Sequence, residues 1–268
     1  MEEKLLQMKS LVERLNQASD SYYNGKGELM TDYEWDALFD QLKRLEEETG
    51  EILPDSPTNR VSEDSIVGKK EEHEFAALSL AKTKQVSDLV KWAEDRPIWI
   101  SWKLDGLTLV VTYDGGKLTK IVTRGNGHIG TNITHLAPAI SGIPATISEK
   151  GHLVVRGEAV ISYADFEQFI IESEGDYANP RNLASGSLTL KDIDEVKQRH
   201  IQWIPFTLVY TERELTSWGE RMQMLKDLGM YPVERERIDH PTTENIQLEI
   251  DKFTEKVTSK KNPFPVDG

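Results

Sequence analysis

Trp99-Ile-Ser-Trp-Lys-Leu-Asp-Gly-Leu-Thr-Leu-Val-Val-Thr-Tyr113 sets a lone lysine, Lys103, where one strand ends and the next begins. The alternation of Leu107, Leu109, Val111 and Tyr113 predicts a half-buried strand, Asp114-Gly115-Gly116 a turn, and Leu118 to Arg124 the returning strand. Apolar runs from Leu153 to Val160 and from Ile201 to Tyr210 add further strands. They alternate with helix-like Ser162 to Glu174, Thr216 to Leu228 and Thr243 to Val257. The class is therefore α+β. Gly175 to Leu190, rich in Asn, Ser and Gly, reads as an ordered functional loop because it lies between elements of one domain. A strand-end position suits a nucleophilic amine. Taken alone, Lys103-Leu-Asp-Gly106 has a blander reading as a solvated lysine leading a hairpin turn.

Ahead of this domain, Leu5, Met8, Leu11, Val12 and Leu15 recur at helical spacing, and Thr31-Asp-Tyr-Glu34 has the form of a capping box. Trp35, Leu38, Leu42 and Leu45 form the buried stripe of that second helix, and Gly50 ends it. The prolines of Pro54-Asp-Ser-Pro57 cannot continue a helix, so residues 1–62 read as a small helical unit and 63–268 as the larger domain. A chain of 268 residues with 38% apolar and 8% aromatic content can fill a substantial core. Nothing approaches the roughly 18 apolar residues of a membrane span, and the start Met-Glu-Glu-Lys-Leu-Leu-Gln has no apolar signal core. A cytoplasmic protein without a membrane partner is expected. Zero cysteines exclude disulfides, thiolate nucleophiles and cysteine-ligated zinc, and the six histidines lack HExxH spacing. Any metal is then a hard cation arriving with a phosphate-bearing substrate. A net charge of -14 argues against an isolated duplex-DNA clamp but leaves room for a small anion in a local basic pocket.

Five stretches occur in order: Lys103-Leu-Asp-Gly106, Thr123-Arg-Gly-Asn-Gly127, Val155-Arg-Gly-Glu158, Ala178-Asn-Pro-Arg-Asn-Leu-Ala-Ser-Gly-Ser-Leu188 and Asp267-Gly268. The set resembles the N-terminal part of a bacterial NAD-dependent DNA ligase, from Tyr22 onward. The resemblance implies a helical subdomain for the nicotinamide mononucleotide (NMN) half of NAD. It also implies a mixed or antiparallel-sheet nucleotidyltransferase domain of the ATP-grasp-like ligase type, which becomes adenylated with NAD and Mg2+. Such a domain would stop, at Gly268, just before the family's next strand and its phosphate-binding lysine. A monomer is expected, with nicked duplex DNA as partner only in a full-length context.

Lys103 is then the amine that attacks the α-phosphorus of NAD. Only the neutral amine is nucleophilic, so its pKa must be lowered by cations or partial burial. Asp105 belongs to the same motif. Arg124, at a strand end before Gly125, suits phosphate or ribose oxygens, or else is a surface arginine. Glu158 sits on a mostly apolar strand, where a carboxylate is costly unless paired; it accepts ribose hydroxyls by resemblance, or pairs with Arg156 or another internal cation. Arg181, stiffened by Pro180 and flanked by the capping side chains Asn179 and Asn182, contacts phosphate by resemblance and is otherwise a structural loop arginine. Phe206 stacks on adenine by resemblance or is core. Ser79 and Leu80 match a stretch lining the adenosine site. Asp32 and Asp36 lie four residues apart on one helical face with Trp35 beside them and Tyr22 ten residues before Asp32. The resemblance has this group hold the nicotinamide ribose and cationic ring; complementing the helix dipole is the plainer role.

Departures from the family pattern matter. Ser101 stands where a glutamate reading adenine is common, Tyr23 where a histidine is expected, Trp35 for a tyrosine, Asn126 for an aspartate and Thr189 for an arginine. Retention of Lys103, Asp105, Gly106, Arg124, Glu158 and Arg181 favours an adenylating ligase region. The substitutions at 101, 126 and 189 favour a divergent, non-catalytic nucleotide-binding or interaction module. An ATP-using ligase or capping-type nucleotidyltransferase shares the lysine motif but leaves Tyr22, Asp32 and Asp36 unexplained.

Overall fold

The computed structural model of the chain describes residues 2–23, 29–30, 32–58, 68–77, 81–173 and 177–268. Helices α1 (Glu2–Tyr23) and α2 (Asp32–Thr49) run antiparallel, since Lys4 pairs with Glu48 while the Trp35 indole reaches the Leu15 carbonyl. The predicted stripe is their seam: Met8, Leu11, Val12 and Leu15 bury against Leu42 and Leu45, with Trp35 and Leu38 packed on the edge. Each fully buried leucine contributes about 1.5–3 kcal/mol. Gly50, at φ +70°, ends α2 in the left-handed conformation a glycine adopts without strain. The Pro54–Pro57 loop is anchored on α2, where the Ser56 and Thr58 hydroxyls each donate to the Glu46 carboxylate at 2.6 Å. Thr31 of the predicted capping box lies outside the described residues.

The larger unit is built on four antiparallel strands in the order β4 (Lys117–Thr123), β3 (Leu107–Asp114), β6 (Leu153–Val160), β7 (Gln202–Thr211). The β3–β4 connection is the two-residue turn Gly115-Gly116, with φ of +60° and +77°, the signs that a tight hairpin compatible with strand twist requires. Alternation divides β3 and β6 between the two faces of the sheet. Leu109, Val111, Tyr113, Val155, Ala159 and Trp203 look into one large core. It is closed by Leu183 and Ala184 of α5 (Pro180–Ser187), Val196 of α6 (Ile193–Lys197) and Met222 and Leu225 of α7 (Trp218–Asp227).

The opposite face is broken. Val110 and Val154 pack with Ala77 in one small cluster, and Val160 packs with Trp102, Leu104, Val233 and Phe253 in another. Between them the register sets Thr108 opposite Glu158 and Val110 opposite Arg156. Short two-stranded sheets flank this face: β1 (Lys70–Glu72) with β5 (Ile129–Thr131), and β2 (Ile98–Ser101) with β8 (Arg235–Ile238). Helix α8 (Thr243–Thr258) supplies Phe253 and contacts α3 (Val86–Ala93), and α4 (Tyr163–Ser173) follows β6. The expected α+β class holds. The segment read as a loop from Gly175 to Leu190 does not: α5 lies inside it, capped by Asn179, whose side chain accepts the Asn182 N–H at 2.8 Å, and started by Pro180.

Candidate active site

Strands β2 and β3 belong to different sheets, so the lysine motif is a crossing between them and not the hairpin of the blander reading. The crossing is paired along its length with the residues near Gly268. Lys103 N–H donates to the Gly268 carbonyl at 2.7 Å, Asp267 N–H to the Lys103 carbonyl at 2.8 Å, and Asp105 N–H to the Pro265 carbonyl at 2.9 Å. Trp102 and Leu104 are buried in the Phe253 cluster, so extended alternation turns Lys103 and Asp105 the other way. Gly106 is required by close approach: a Cβ there would lie 2.2 Å from the Ala159 carbonyl oxygen of β6.

Four predicted residues converge around this crossing. Arg181, carried on the first turn of α5, donates from Nη1 to Asp105 Oδ1 at 2.6 Å. Lys103 Nζ forms an ion pair with the carboxylate of Asp267, which the sequence reading named only as part of the Asp267-Gly268 stretch. Partial burial lowers the pKa of the Lys103 amine; the Asp105 and Glu158 carboxylates oppose that shift, and Arg181 and Lys82 reinforce it. Burial pushes the Glu158 carboxyl up to about 7. A hydrogen bond from Thr108, the Arg181 charge, the Gly106 N–H and Lys103 all pull the other way. Desolvation wins over that combined attraction, leaving a group that changes charge near neutrality.

The alternative pairing of Glu158 with Arg156 is overturned. Thr108 Oγ1 donates to Glu158 Oε2 at 2.9 Å, while Arg156 Nη2 turns to the carbonyls of Phe75 and Ala76 at 3.0 and 2.8 Å. Arg124 also reaches that segment, its Nε donating to the Ala77 carbonyl at 2.9 Å. The two guanidiniums thus strap residues 75–77 across the open face, upstream of Ser79 and Leu80, which lie outside the described residues. The Phe75 ring completes the strap by stacking on Tyr210, with centroids 5.3 Å apart.

Other candidates stand apart from this cluster. Ser101 ends β2 opposite Arg235. Phe206 packs on the flank of the cluster formed by Trp102, Leu104 and Val160. Trp35 stacks on Phe39 at 4.8 Å and donates from Nε1 to the Leu15 carbonyl at 3.3 Å. Tyr22 falls in the last turn of α1, and Asp32 and Asp36 in the first turns of α2; their side chains lie outside the described residues. Two departures from the family pattern have local uses. Asn126 Oδ1 accepts the N–H groups of His128 and Ile129, and Thr189 Oγ1 donates to the Gly186 carbonyl.

A family model described as NAD-dependent DNA ligase adenylation domain matches residues 69–268, and one described as DNA ligase-like, N-terminal NAD+-binding domain matches residues 1–62. A DNA ligase of Lachnoclostridium phytofermentans is 39% identical over 100% of this chain and 41% of its own length. One of Ruminiclostridium cellulolyticum shows the same 39% identity over the same shares. The chain spans about two fifths of the length of these curated relatives, 41% in each case. A solved structure described as mycobacterial DNA ligase D complexed with ATP and MES covers 52% of this chain and 40% of its own at a TM-score of 0.31 and 16% identity, a likeness too slight to bear on this one.

Proposed function

This chain belongs to the NAD-dependent DNA ligase family and carries its adenylation domain, and we propose that Lys103 is the nucleophile through which it takes AMP from NAD. The neutral Nζ attacks the α-phosphorus, an N–P bond forms, and the P–O bond to the nicotinamide mononucleotide phosphate breaks. The mononucleotide leaves with the bonding pair, and the amine proton passes to solvent. The observation that supports this is the convergence of an amine of lowered pKa with Asp105, Glu158 and Arg181 at one crossing.

In this reading Arg181, held by Asp105, and Arg124 meet the phosphates, and ionised Glu158 accepts the ribose hydroxyls. Ser79, Leu80, Ser101 and Phe206 border the adenosine. Residues 1–62 form the unit for the mononucleotide half, with Tyr22, Asp32 and Asp36 toward its ribose and ring; Trp35, already donating within the hairpin, serves there as a wall. Residues 63–268 form the nucleotidyltransferase unit. The residues present do not build a cage for Mg2+. Among the described residues no three metal-ligating side chains converge, and Asp105, Asp267 and Glu158 are engaged by Arg181, Lys103 and Thr108. We assign that cation to the phosphates of the dinucleotide, where it would neutralise charge. Sealing of nicked duplex DNA is proposed only for a chain of the relatives' full length, since net charge -14 disfavours duplex binding by this one.

Intact mass spectrometry after incubation with NAD and Mg2+, beside ATP and a Lys103→Ala control, tests the reading. One AMP gained from NAD alone and absent in the variant is the expected result. An adduct that survives Lys103→Ala would remove Lys103 from its role, and no adduct with either donor would favour the non-catalytic module.

A further inference from the structure

We propose that Thr108 is a positioning residue for Glu158: its hydroxyl, donated across the β3–β6 register, holds the carboxyl in one orientation and in its charged form within the nucleotide site. The inference rests on the reading of Glu158 as the ribose acceptor. It starts from the register, which sets Thr108 directly opposite Glu158, and from the 2.9 Å bond from Oγ1 to Oε2.

A threonine on this face needs an account. Its neighbours along β3 on the same side are Val110, which is buried, and Thr112; Leu107 and Leu109 point into the large core. Valine would match the threonine in shape and in strand preference, so packing alone does not ask for the hydroxyl. What the hydroxyl adds is a donor aimed at a carboxyl that burial otherwise drives toward protonation. The Gly106 N–H, the second donor to this carboxyl, ends the lysine motif and Thr108 follows it by two residues, so Glu158 is tied in position to the segment that carries Lys103.

The charged groups around Glu158 are few. Lys103, on which Asp267 closes, and Arg181, held by Asp105, favour the ionised form. Strand β7 places the uncharged Ile204 opposite. Removing the Thr108 donor is therefore felt directly at the carboxyl. A charge-assisted hydrogen bond lost from the ionised form raises the midpoint of Glu158 by about one pH unit.

The test uses the full chain with 13C-labelled glutamate, following the side-chain carboxyl signal that disappears in Glu158→Gln. In Thr108→Val the titration midpoint is expected to rise by about one unit, and in Thr108→Ser to return to the parent value. Adduct formation from NAD should fall about tenfold at pH 6.5 in Thr108→Val and less than about twofold at pH 9, with the serine variant rescued at both. An unchanged midpoint in Thr108→Val, or a loss of rate by one factor at all pH values that serine does not rescue, would overturn the inference and leave Thr108 a strand residue. Should the parent chain form no adduct, the proposed function fails, while the carboxyl midpoint still decides the role of Thr108.

Discussion

The two faces of the β4-β3-β6-β7 sheet are made by the same strands and do opposite work. One face is predominantly apolar and is sealed by α5, α6 and α7. The other gives up its middle to Thr108, Arg156 and Glu158, leaving apolar packing only in two clusters at its flanks. Polar groups set into a sheet cost desolvation that a leucine would not, so a site is legible as the place where packing has been exchanged for chemistry. Stability should then reside on the first face and reactivity on the second.

The largest expected effect tests the first half of that division. Trp203 is 2% exposed, and its indole lies where a Cβ on Gly157 would be 2.5 Å away, so the two residues are matched in size across β6 and β7. Trp203→Ala should cost about 3–5 kcal/mol in urea unfolding. A cost below about 1 kcal/mol would show that the sealed face does not carry the fold.

Glu158→Gln comes next and should act in the opposite direction. The Glu158 carboxyl is raised from 4.5 to about 7, so between those values the folded chain holds a proton that the unfolded chain has lost. The stability this group confers is present at low pH and falls away as pH rises through about 7. The glutamine variant lacks that fall and should exceed the parent by about 3 kcal/mol at pH 8, with little difference at pH 4, while forming no AMP adduct. Equal stabilities at pH 8 would mean that the open face is as well accommodated as the sealed one.

Much of this division was readable in the residues themselves. The apolar run from Leu153 to Val160 has the bounds of the observed strand, and the paired glycines at 115 and 116 placed the hairpin. Lys103, Asp105, Glu158 and Arg181 were all identifiable because each lies in a short, dense motif. Thr108 was not, because its role arises from register, and Asp267 was read only as part of the Asp267-Gly268 stretch, because its pairing with Lys103 joins segments 164 residues apart. Helix α5 was hidden for a different reason. Its run of Asn, Ser and Gly has the composition of a loop, yet the Asn179 cap, Pro180 at the start and the burial of Leu183, Ala184 and Leu188 outweigh weak propensity. Short β8 and α6 carry too few residues for a period to be counted.

The smallest effect is expected at the rim of the open face, where His152 joins the β3–β4 turn to the strap. Its Nδ1 lies 2.5 Å from Asp114 Oδ1 and its Nε2 lies 2.8 Å from Glu74 Oε2, so only the doubly protonated ring donates to both. The bond to Asp114 is the main cause of a raised imidazole pKa, against the opposing effect of burial, with Glu74 reinforcing it. A raised histidine stabilises fully below its ordinary value of 6.5 and loses that contribution as pH climbs through the folded-state value. Because both carboxylates are about half exposed, the contribution should stay below about 1 kcal/mol. Hydrogen exchange at residues 74–77 reads it locally. His152→Gln should speed exchange there at pH 6 and scarcely at pH 9, leaving the core strands unchanged. Acceleration equal at both pH values would assign the strap's hold to Arg156, Arg124 and the Phe75–Tyr210 stack instead, and would place the whole open face under fixed charges with no titrating element at its edge.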